Sequence, residues 1–457
     1  MDETDGKPVV ALVGAGGKSS LLFRLGDELA AAGKPALLTA TTRLWASQID
    51  RVPFSLLTPS ESTLAFELPT SLRGYGQALA LAGPAGEPGK LAGLAPETIC
   101  RLAALDEVGA VVVEADGSRE RPLKAPAVHE PAVPTCATHV VTVAGIAAVG
   151  QSLDDATVHR PEIAAALTGL RLGDTLTAEA VAALLAHPDG GRKGCPGHAA
   201  PLLYLNLALD NALDAADAQR RLAAARRIAS IVLTSPPPAY RSVLIGSAQA
   251  ADPVGEVHGR VAAVVLAAGG SRRLDGDLPK QLLPWQPGGT LVGRAADIAL
   301  EAGTLNQVVV VTGHGAQQVQ AALGDRSVRV VYNPDWQTGQ SSSVAAGLTA
   351  LAPDTSAVVF VLADQPSVLP ATIDQLVTRH RQTLAPVVAP IYQGGQRGNP
   401  VLFDRRTFPE LLALHGDTGG RPLLQRYGQQ VEQVVVDAPL PQGIETMAEY
   451  WRIFPHP

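Results

Sequence analysis

The chain has 457 residues, of which 46% are hydrophobic and 17% charged, and its formal net charge is −7. This length predicts two or three domains, and the composition excludes a disordered protein. Because lysine and arginine are scattered and the net charge is acidic, the sequence offers no basic stripe for a nucleic-acid backbone. We therefore expect no nucleic-acid partner.

Three cysteines, Cys100, Cys136 and Cys195, lie far apart in the sequence. An odd number at these distances argues against a disulfide framework and is typical of a reducing compartment. Cys195 and His198 have the spacing of half a zinc site, but without a second pair the Pro/Gly-rich surroundings favour a turn. The start MDETDGKPVV is acidic, unlike a signal peptide, and no apolar run reaches the roughly 20 residues of a membrane helix. We expect a cytoplasmic protein with no membrane partner.

The first half opens on a short apolar strand, 9–13 (VVALV), which breaks into the turn GAGG and leads into a helix over 19–32. Residues 247–259 are polar and contain Gly and Pro without periodicity, so they predict a linker between a domain over 1–250 and one over 258–457. Further elements predicted in the first half are strands at 36–39, 110–114, 139–143 and 228–233 and helices at 176–186 and 213–227.

The second half repeats this pattern, with a strand at 261–266 that breaks into the turn AAGG. The alternation of strands and helices predicts an α/β fold class, with two doubly wound, mainly parallel-sheet domains. Ligands of such sheets bind at the carboxyl ends of the strands. Further strands are predicted at 307–312, 328–332, 357–362, 386–390 and 432–437, and helices near 291–302, 315–323, 341–351 and 370–381.

The turn after the first strand has the composition of a shortened phosphate loop. Gly14, Gly16 and Gly17 free the backbone for a phosphate, Lys18 brings a cation, and Ser19 can reach a metal ion. The full G-x-x-x-x-G-K-[ST] spacing is not met, because residue 12 is leucine. We expect phosphate binding here; a glycine-rich helix start with a solvated lysine is the alternative.

Carboxylates follow the predicted strand 110–114, in the sequence EADG. A carboxylate at a strand end opposite a phosphate loop can hold Mg²⁺ directly or through water, so Asp116 is a candidate residue of the same site. Arg121 and Lys124 add cations to the same candidate site. Capping of a turn by Asp116 and ordinary surface charge are the alternatives.

The turn after strand 261–266 reads LAAGGSRR and is followed by PKQLLP (279–284). Small residues after a strand let backbone N–H groups approach a triphosphate, while Lys280 and Arg272 or Arg273 can neutralise a leaving pyrophosphate. By itself this motif is equally consistent with a tight strand–helix turn that carries surface cations. The candidate nucleotide-binding residues of the turn are Leu266, Ala267, Ala268, Gly269 and Gly270.

Motifs further along the chain favour the first of these interpretations. Asp364 follows strand 357–362, and a carboxylate oxygen at the carboxyl end of a strand suits Mg²⁺. A predicted helix opens with the hydroxyls of Ser341, Ser342 and Ser343, and the segments GNPVLF and GDTGGR follow downstream. This order of features predicts a nucleotidyl-transfer site, with Arg273, Lys280 and Asp364 as its catalytic residues.

This ordered set resembles the MobA-like nucleotidyltransferase family, and most closely its molybdenum cofactor cytidylyltransferases, over residues 260–455. The resemblance implies a Rossmann-like transferase fold with Mg²⁺, and transfer of a cytidylyl group from CTP to a molybdopterin cofactor with release of pyrophosphate. It also implies that Leu266 to Gly269 and the serine run hold the nucleotide, that Lys280 contacts phosphate and that Asp364 coordinates the metal. The sequence LAAG resembles that of the cytidylyltransferases of this family, whereas the guanylyltransferases more often have LAGG.

The sequence departs from this family in two places. The loop between Arg273 and Lys280 is slightly longer than the usual R-M-G-x-x-K arrangement. Near the end, the family signature DIDTPEDY is replaced by GIETMAEY (443–450). Glu445 stands at the acidic position of that signature, so it is a candidate second metal ligand.

The first half resembles the YqeC-like family of selenium-dependent hydroxylase accessory proteins. The strings GAGGKSS, ATTR, EADGSRERPLKAPAVHEP and VHRPE carry this resemblance over about 8–245. It implies a nucleotide-binding accessory role without a named reaction. Together the two resemblances imply a fused maturation factor, which makes the dinucleotide cofactor and serves an apo molybdenum hydroxylase as its partner.

Two alternatives stay open from the sequence. The second half can transfer a nucleotide to another phosphorylated acceptor, such as a sugar or alditol phosphate. The chain can instead be a non-catalytic carrier or chaperone that binds cofactor and delivers it. A carrier releases no pyrophosphate from labelled CTP, so multiple turnover separates these hypotheses.

Overall fold

The computed structural model describes residues 7–207, 214–234, 237–270, 278–285 and 289–454. The chain divides into two compact units, Met1–His258 and Gly259–Pro457. Within the described ranges, no helix is long and apolar enough to cross a membrane.

The first unit consists of a large sheet with helices. Its strands are β1 (Val9–Gly14), β2 (Ala36–Ala40), β3 (Arg43–Trp45), β4 (Ser55–Leu57), β5 (Gln77–Leu81), β6 (Gly83–Pro84), β7 (Lys90–Ala92), β8 (Ala110–Glu114), β9 (Leu123–Lys124), β10 (His139–Gly145), β11 (Val158–His159), β12 (Ala200–Asn206), β13 (Ser242–Gly246) and β14 (Glu256–His258). Its helices are α1 (Lys18–Ala31), α2 (Glu61–Tyr75), α3 (Pro96–Ala103), α4 (Pro161–Thr168), α5 (Ala178–Ala186) and α6 (Ala215–Thr234).

The main sheet of this unit has nine strands in the order β14-β13-β12-β10-β1-β8-β2-β5-β4. Neighbouring strands run parallel except for the edge pair β13–β14. Successive residues of β1 point to opposite faces. Leu12 packs in one buried cluster with Leu22 of α1, whereas Ala11 and Val13 pack in another with Leu64 of α2. Helices therefore cover both faces, and this sheet is doubly wound as predicted.

The second unit repeats this architecture around a smaller sheet. Its strands are β15 (Arg260–Ala267), β16 (Pro284–Trp285), β17 (Gly289–Thr290), β18 (Gln307–Thr312), β19 (Arg329–Tyr332), β20 (Thr355–Leu362), β21 (Val387–Tyr392), β22 (Gln396–Arg397), β23 (Val401–Asp404) and β24 (Val431–Val435). Its helices are α7 (Leu291–Glu301), α8 (Ala316–Leu323), α9 (Gln340–Thr349), α10 (Pro370–Thr383), α11 (Phe408–Leu412), α12 (Arg421–Tyr427) and α13 (Met447–Ile453).

The sheet of the second unit has the order β19-β18-β15-β20-β23-β21-β22, and β24 pairs with β21. The pairs among β19, β18, β15 and β20 are parallel, as is β21–β24. β23 runs antiparallel between β20 and β21, and the predicted elements did not include it. Val265 and Val264 of β15 belong to buried clusters with α7 and with α9 respectively. The predicted α/β class, mainly parallel and doubly wound, is confirmed for this unit as well.

The prediction of a strand at 228–233 was wrong, because these residues lie in α6. Their buried positions are Ile228, Ala229, Val232 and Leu233. This spacing is that of one helix face, and the alanine-rich sequence before it favours continuation of the helix. A short apolar run does not by itself distinguish a buried strand from a buried helix segment.

The segment 247–259, predicted as a linker, contains β14, and the first unit extends to His258. Two polar residues of this segment are buried: Glu256 is 6% exposed and His258 2%. His258 Nε2 lies 2.7 Å from a Glu256 carboxylate oxygen, which Arg226 also contacts. Burial raises the pKa of Glu256, but the hydrogen bonds from His258 and Arg226 have the larger effect and lower it to about 2.

The expectation of no disulfide was also wrong. Cys100 of α3 and Cys136, just before β10, are bonded, with their Cα atoms 5.6 Å apart. The neighbouring residues Ile99 and Ala137 belong to one buried cluster, so the 36-residue separation in sequence closes up in space. Cys195 is free, and turns surround it at 188–194 and 197–198, as its sequence context predicts.

Candidate functional sites

The predicted transferase motifs meet at the carboxyl edge of the second sheet. β15 and β20 are adjacent and parallel, with Leu266 level with Leu362, so the turns that follow them start side by side. A cavity of about 510 Å³ lies over this edge. Its lining includes Leu266, Ala268, Gly269, Gly270, Lys280, Ser343, Asp364 and Glu445.

The centre of this cavity wall is an ion pair between Lys280 and Asp364. Lys280 Nζ donates to Asp364 Oδ2 at 2.6 Å, and the two side chains are 18% and 23% exposed. A partly exposed pair of this kind contributes little to stability, so a phosphate oxygen can replace the carboxylate at small cost. The backbone N–H of Ile444 donates to the carbonyl of Asp364 at 3.0 Å, which holds the neighbouring Glu445 at the same wall.

The remaining residues of the glycine-rich turn take different places. Leu266 lines the cavity, but Ala267 is 1% exposed and packs in the core, so its side chain contributes no surface to the site. The side chain of Gln281, itself buried, donates from Nε2 to the carbonyl of Gly269 at 2.7 Å and fixes the turn. Arg273, predicted as catalytic, lies outside the described residues.

The serine run lies at the start of α9 as predicted, but its three hydroxyls have different hydrogen-bond partners. Ser341 donates to the carbonyl of Gly416 at 2.8 Å, and Ser342 donates to the carbonyl of Gly339 at 2.8 Å. Ser343 accepts from the side-chain amide of Asn333 at 3.0 Å and lines the cavity. Of the three, Ser343 is therefore placed to meet a ligand, while Ser341 and Ser342 hold the loops around it.

A second cavity, of about 860 Å³, adjoins the first. Both cavities are lined by Leu266, Gln340, Leu362 and Asp417, so they form one continuous cleft. The outer part combines guanidinium groups with an amide and aromatic rings, from Arg397, Arg421, Asn399, Phe360 and Phe403. The sequence motifs GNPVLF and GDTGGR lead to this wall. Two lining residues were not among the candidates: Arg397, which directly precedes GNPVLF, and Gln340, which directly precedes the serine run.

Among the residues that the structure describes, no group of three or more His, Cys, Asp or Glu could hold a metal ion by itself. Mg²⁺ usually takes one or two carboxylates and completes its coordination with water and substrate phosphates. Asp364, Glu445 and Asp417 line one cavity and supply such hard oxygen ligands. The donor set therefore fits Mg²⁺ bound together with a triphosphate.

In the phosphate loop of the first unit, the backbone has φ angles that residues with side chains rarely adopt. Gly14, Gly16 and Gly17 have φ values of +93°, +76° and +133°. A Cβ at Gly16 would lie 2.6 Å from the backbone nitrogen of Gly145, so the loop has no room for a side chain there. The loop leads directly into α1, whose N-cap Gly17 has no side-chain cap. The first N–H groups of the helix are therefore available to an anion.

Lys18, predicted to contact phosphate, is buried and already tied to the protein. It is 3% exposed, donates to the carbonyl of Gly14 at 2.6 Å, and lies 3.3 Å from Asp116. Asp116 accepts from the N–H of Gly14 at 3.0 Å and pairs with Lys124 at 2.9 Å. Gly14 and Asp116 thus lie behind the loop and support it; the cavity over the loop is lined by Gly16, Gly17, Lys18 and Ser19.

The ion pairs continue from buried Lys124 to the segment around β11, where Glu130 and Arg160 are partly exposed. Lys124 pairs with Glu130 at 2.9 Å, and Glu130 pairs with Arg160 at 2.7 Å. Burial raises the pKa of Glu130, but hydrogen bonds from Lys124 and Arg160 lower it to about 2. Burial, together with the charges of Arg160 and Lys124, lowers the pKa of His159 to about 4, so this side chain is neutral near pH 7. The strings EADGSRERPLKAPAVHEP and VHRPE contained this network, but its pairing depends on tertiary contacts.

Ser19 and Glu114 meet at the wall of a cavity of about 1130 Å³. Ser19 Oγ donates to Glu114 Oε2 at 2.8 Å, and Glu114 is 7% exposed. Burial raises the pKa of Glu114 more than Lys18 and the Ser19 hydrogen bond lower it. Because β8 lies beside β1, this hydroxyl–carboxylate pair sits at the strand end next to the phosphate loop. Such a pair of hard oxygen atoms fits a magnesium ion that accompanies a bound phosphate.

Comparison with protein families divides the chain at the same two halves. The model of the MobA-like NTP transferase domain matches residues 263–432, and the model of the YqeC protein matches residues 10–162. The first half is similar to the YqeC protein of Escherichia coli K12, whose name describes it as uncharacterised. The identity is 33% over 204 residues, which cover 43% of this chain and 75% of that protein.

The second half is similar to nicotine blue oxidoreductase of Paenarthrobacter nicotinovorans. The identity is 33% over 199 residues, which cover 42% of this chain and 96% of that protein. Among solved structures, the chain is similar to Rv0371c from Mycobacterium tuberculosis H37Rv, with 32% identity and a TM-score of 0.39. That match covers 43% of this chain and 98% of the other.

Proposed function

This chain belongs to the YqeC family through its first half and to the MobA-like NTP transferases through its second, and from that premise we propose a bifunctional maturation factor. Its nucleotidyltransferase domain transfers the cytidylyl group of CTP to a molybdopterin-type cofactor and releases pyrophosphate. Its YqeC-like domain binds a nucleotide and serves an apo molybdenum hydroxylase, in the cytoplasm. The observation that carries the transferase proposal is the exchangeable pair Lys280–Asp364 at the wall of the cleft.

The cleft offers separate places for the two substrates. The inner cavity has the glycine-rich turn and Lys280, which suit a triphosphate. The outer cavity has Arg397 and Arg421 together with aromatic rings, which suit an acceptor with a phosphate group and a large organic body. The cleft is continuous, so an acceptor phosphate can approach the α-phosphorus of a nucleotide from the outer side.

The transfer itself asks for positioning and charge stabilisation. A phosphate oxygen of the acceptor bonds to the α-phosphorus, and the bond from that phosphorus to the bridging oxygen breaks, so that pyrophosphate leaves. Lys280 turns from Asp364 to the triphosphate and stabilises the negative charge that develops on the leaving group. An ionised phosphate needs no general base, so the residues of the cleft orient the reactants and exclude water.

Magnesium is the cofactor that the carboxylates of the cleft fit. Asp364, with Glu445 as second ligand, would hold the ion once Lys280 has moved to the triphosphate. Bound there, Mg²⁺ supplies positive charge against the phosphates. Arg273, which follows the glycine-rich turn, is assigned to the leaving pyrophosphate from the sequence, because a guanidinium there can neutralise the charge that develops.

The decisive experiment measures pyrophosphate release by the full chain with CTP, GTP, ATP or UTP and molybdopterin as acceptor, in the presence of Mg²⁺. We expect multiple turnover with CTP. Activity with GTP alone would contradict the cytidylyl assignment from the LAAG turn, and activity only with a sugar or alditol phosphate would replace the acceptor. Binding of cofactor without any pyrophosphate release would favour a carrier.

A second candidate function is an oxidoreduction, which the similarity to nicotine blue oxidoreductase over 96% of that protein favours. It predicts that, once an electron donor such as a reduced nicotinamide is supplied, the protein changes the absorption of nicotine blue without consumption of an NTP. The same preparation used for the pyrophosphate assay distinguishes the two, since the transferase consumes CTP and leaves the absorption of the dye unchanged.

A further inference from the structure

The cavity of the first unit is larger than a phosphate site requires. At about 1130 Å³, it extends from the phosphate loop, with Gly17 and Ser19, to the small antiparallel sheet of β3, β7 and β6. Pockets for whole drug-sized ligands are typically about 300–1,000 Å³. The volume therefore accommodates a ligand with an organic body as well as phosphates.

The sheet geometry sets the distance between the two ends of this cavity. In the order β1-β8-β2, Leu12, Glu114 and Ala40 are paired in one row across the sheet. Adjacent strands are about 4.8 Å apart, so Ala40 at the end of β2 lies about 10 Å from Leu12, two residues before the end of β1. The phosphate loop follows one of these ends and β3 follows the other. One nucleotide molecule can span this separation.

The far end is anchored to β2 by close backbone contacts. The N–H of Leu94 donates to the carbonyl of Ala40 at 2.8 Å, and a Cβ at Gly93 would lie 2.2 Å from that same oxygen. β7, which ends just before these residues, is therefore held against the carboxyl end of β2. Since β7 pairs with β3, the side chains of β3 have a fixed place at the cavity.

Trp45 of β3 is the aromatic residue at this end, and it is 47% exposed although it lines the cavity. Lys90 Nζ lies 4.7 Å from the ring centroid and is held by Glu87 at 2.8 Å, which also pairs with Arg43 at 3.0 Å. The backbone N–H of Trp45 donates to the side chain of Gln48 at 3.2 Å. Lys90 of β7 thus contacts the indole ring and Gln48 fixes the backbone of Trp45, while much of the surface of the ring stays open.

We propose that Trp45 is the nucleobase platform of the first unit: the base of a bound nucleotide stacks on the indole while its phosphates occupy the loop Gly16–Ser19. An exposed aromatic ring stacks with any base, and it contributes affinity without hydrogen-bond readout of the base. This assignment rests on the proposed nucleotide binding of the first domain. It names the part of that site that distinguishes a nucleotide from inorganic polyphosphate.

The test uses the distribution of tryptophan in the chain. Of the four tryptophans, Trp285, Trp336 and Trp451 belong to the second unit. In the full chain with these three changed to Phe, fluorescence reports Trp45. We expect ATP, GTP, CTP and UTP with Mg²⁺ to quench it, and inorganic tripolyphosphate to displace them without quenching of its own. Displacement of tripolyphosphate by nucleotides that leave the fluorescence unchanged would overturn the proposal.

A pair of variants in the otherwise native chain measures the contribution of stacking. Trp45→Ala should weaken nucleotide binding to the first unit by at least about tenfold, and Trp45→Phe by less than about threefold. The Kd of tripolyphosphate, measured in chains that also carry Lys280→Ala so that the cleft of the second unit does not contribute, should be the same in both. This result also shows that the loop of the first unit is intact. If wild type and Trp45→Ala have equal affinity for nucleotides, and both still bind tripolyphosphate, the proposed role of Trp45 is overturned but the phosphate loop is not. Failure of tripolyphosphate to bind the native chain refutes the phosphate loop, and the platform with it.

Discussion

The two units use the same parts at their glycine-rich turns, but bury them to different degrees. Each has a strand that ends in small residues, a lysine soon after, and a carboxylate that contacts that lysine. Lys18 and Asp116 have side chains that are 2% exposed, whereas those of Lys280 and Asp364 are 18% and 23% exposed. In the first unit the pair itself is buried and belongs to a longer network of ion pairs; in the second it faces a cleft.

This difference indicates different roles for similar residues. A buried pair has lost its hydration, so removal of one partner leaves an uncompensated charge in the interior. A pair that faces a cleft can exchange its partner for a ligand, because water and the ligand both reach it. We infer that Asp116 supports its loop, whereas Asp364 serves the chemistry. The predictions below test that contrast, from the largest expected effect to the smallest.

The strongest test of burial is Asp116→Ala. It leaves Lys18 and Lys124 without their shared carboxylate, so the first unit should lose about 3–5 kcal/mol of unfolding free energy. Calorimetric unfolding of the full chain measures this as a shift of the first unit's transition. A loss below about 1 kcal/mol, as expected for an exposed pair, would show that the network is dispensable.

For the partly exposed pair of Lys280 and Asp364, substitution should reduce activity and leave stability almost unchanged. Lys280→Ala should lower kcat/KM for pyrophosphate release by about 100- to 1,000-fold, because it removes a charge that stabilises the leaving group. Its effect on stability should stay below about 1 kcal/mol. The matched control is Arg260→Ala, since Arg260 forms a comparable pair with Asp354, with side chains 19% and 28% exposed. Equal kinetics in the two variants would refute the role of Lys280.

The glycines of the two turns should also differ in how much stability the protein loses when they are replaced by alanine. Gly16→Ala forces a side chain into a left-handed backbone and against Gly145, which should cost about 1–3 kcal/mol. A Cβ at Gly269 meets the side chain of Gln281 at 3.8 Å, an ordinary contact, so Gly269→Ala should change stability by no more than about 0.5 kcal/mol. Chemical denaturation of both variants checks this, and equal losses would remove the distinction between the turns.

The smallest effect concerns the pH dependence of the first unit. The pKa of Glu130 is about 2 in the folded protein, compared with 4.5 for an unperturbed glutamate. A lowered pKa in the folded state stabilises the fold above pH 4.5, and this contribution disappears as the pH falls towards 2. The stability difference between wild type and Glu130→Gln should therefore shrink over this range. A difference that stays constant would mean that Glu130 does not titrate in this way.

The sequence predicted those features that depend on local pattern. The β-branched strands 307–312 and 357–362 were found because both lie in a parallel sheet buried on both faces. Helix α9 was found from its glycine and serine start. The carboxylate Asp364 followed from its place after a strand, since strand ends converge on one edge.

Features that depend on distant partners were not predictable. Whether Asp116 faces a ligand or supports a loop depends on its contacts with Gly14 and Lys18, which the fold brings to it from a segment about 100 residues earlier. The disulfide of Cys100 joins residues 36 apart, which no spacing rule connects. β23 is antiparallel in a mainly parallel sheet, and its residues 401–404 carry no signal of direction.

The central claim is that the second unit transfers nucleotides through the cleft of Lys280 and Asp364. The most direct test compares pyrophosphate release from CTP with molybdopterin by wild type, Asp364→Ala and the control Asp354→Ala. We predict many turnovers for wild type and the control, and a loss of at least about 100-fold for Asp364→Ala at nearly unchanged stability. Full activity of a folded Asp364→Ala protein would contradict the account.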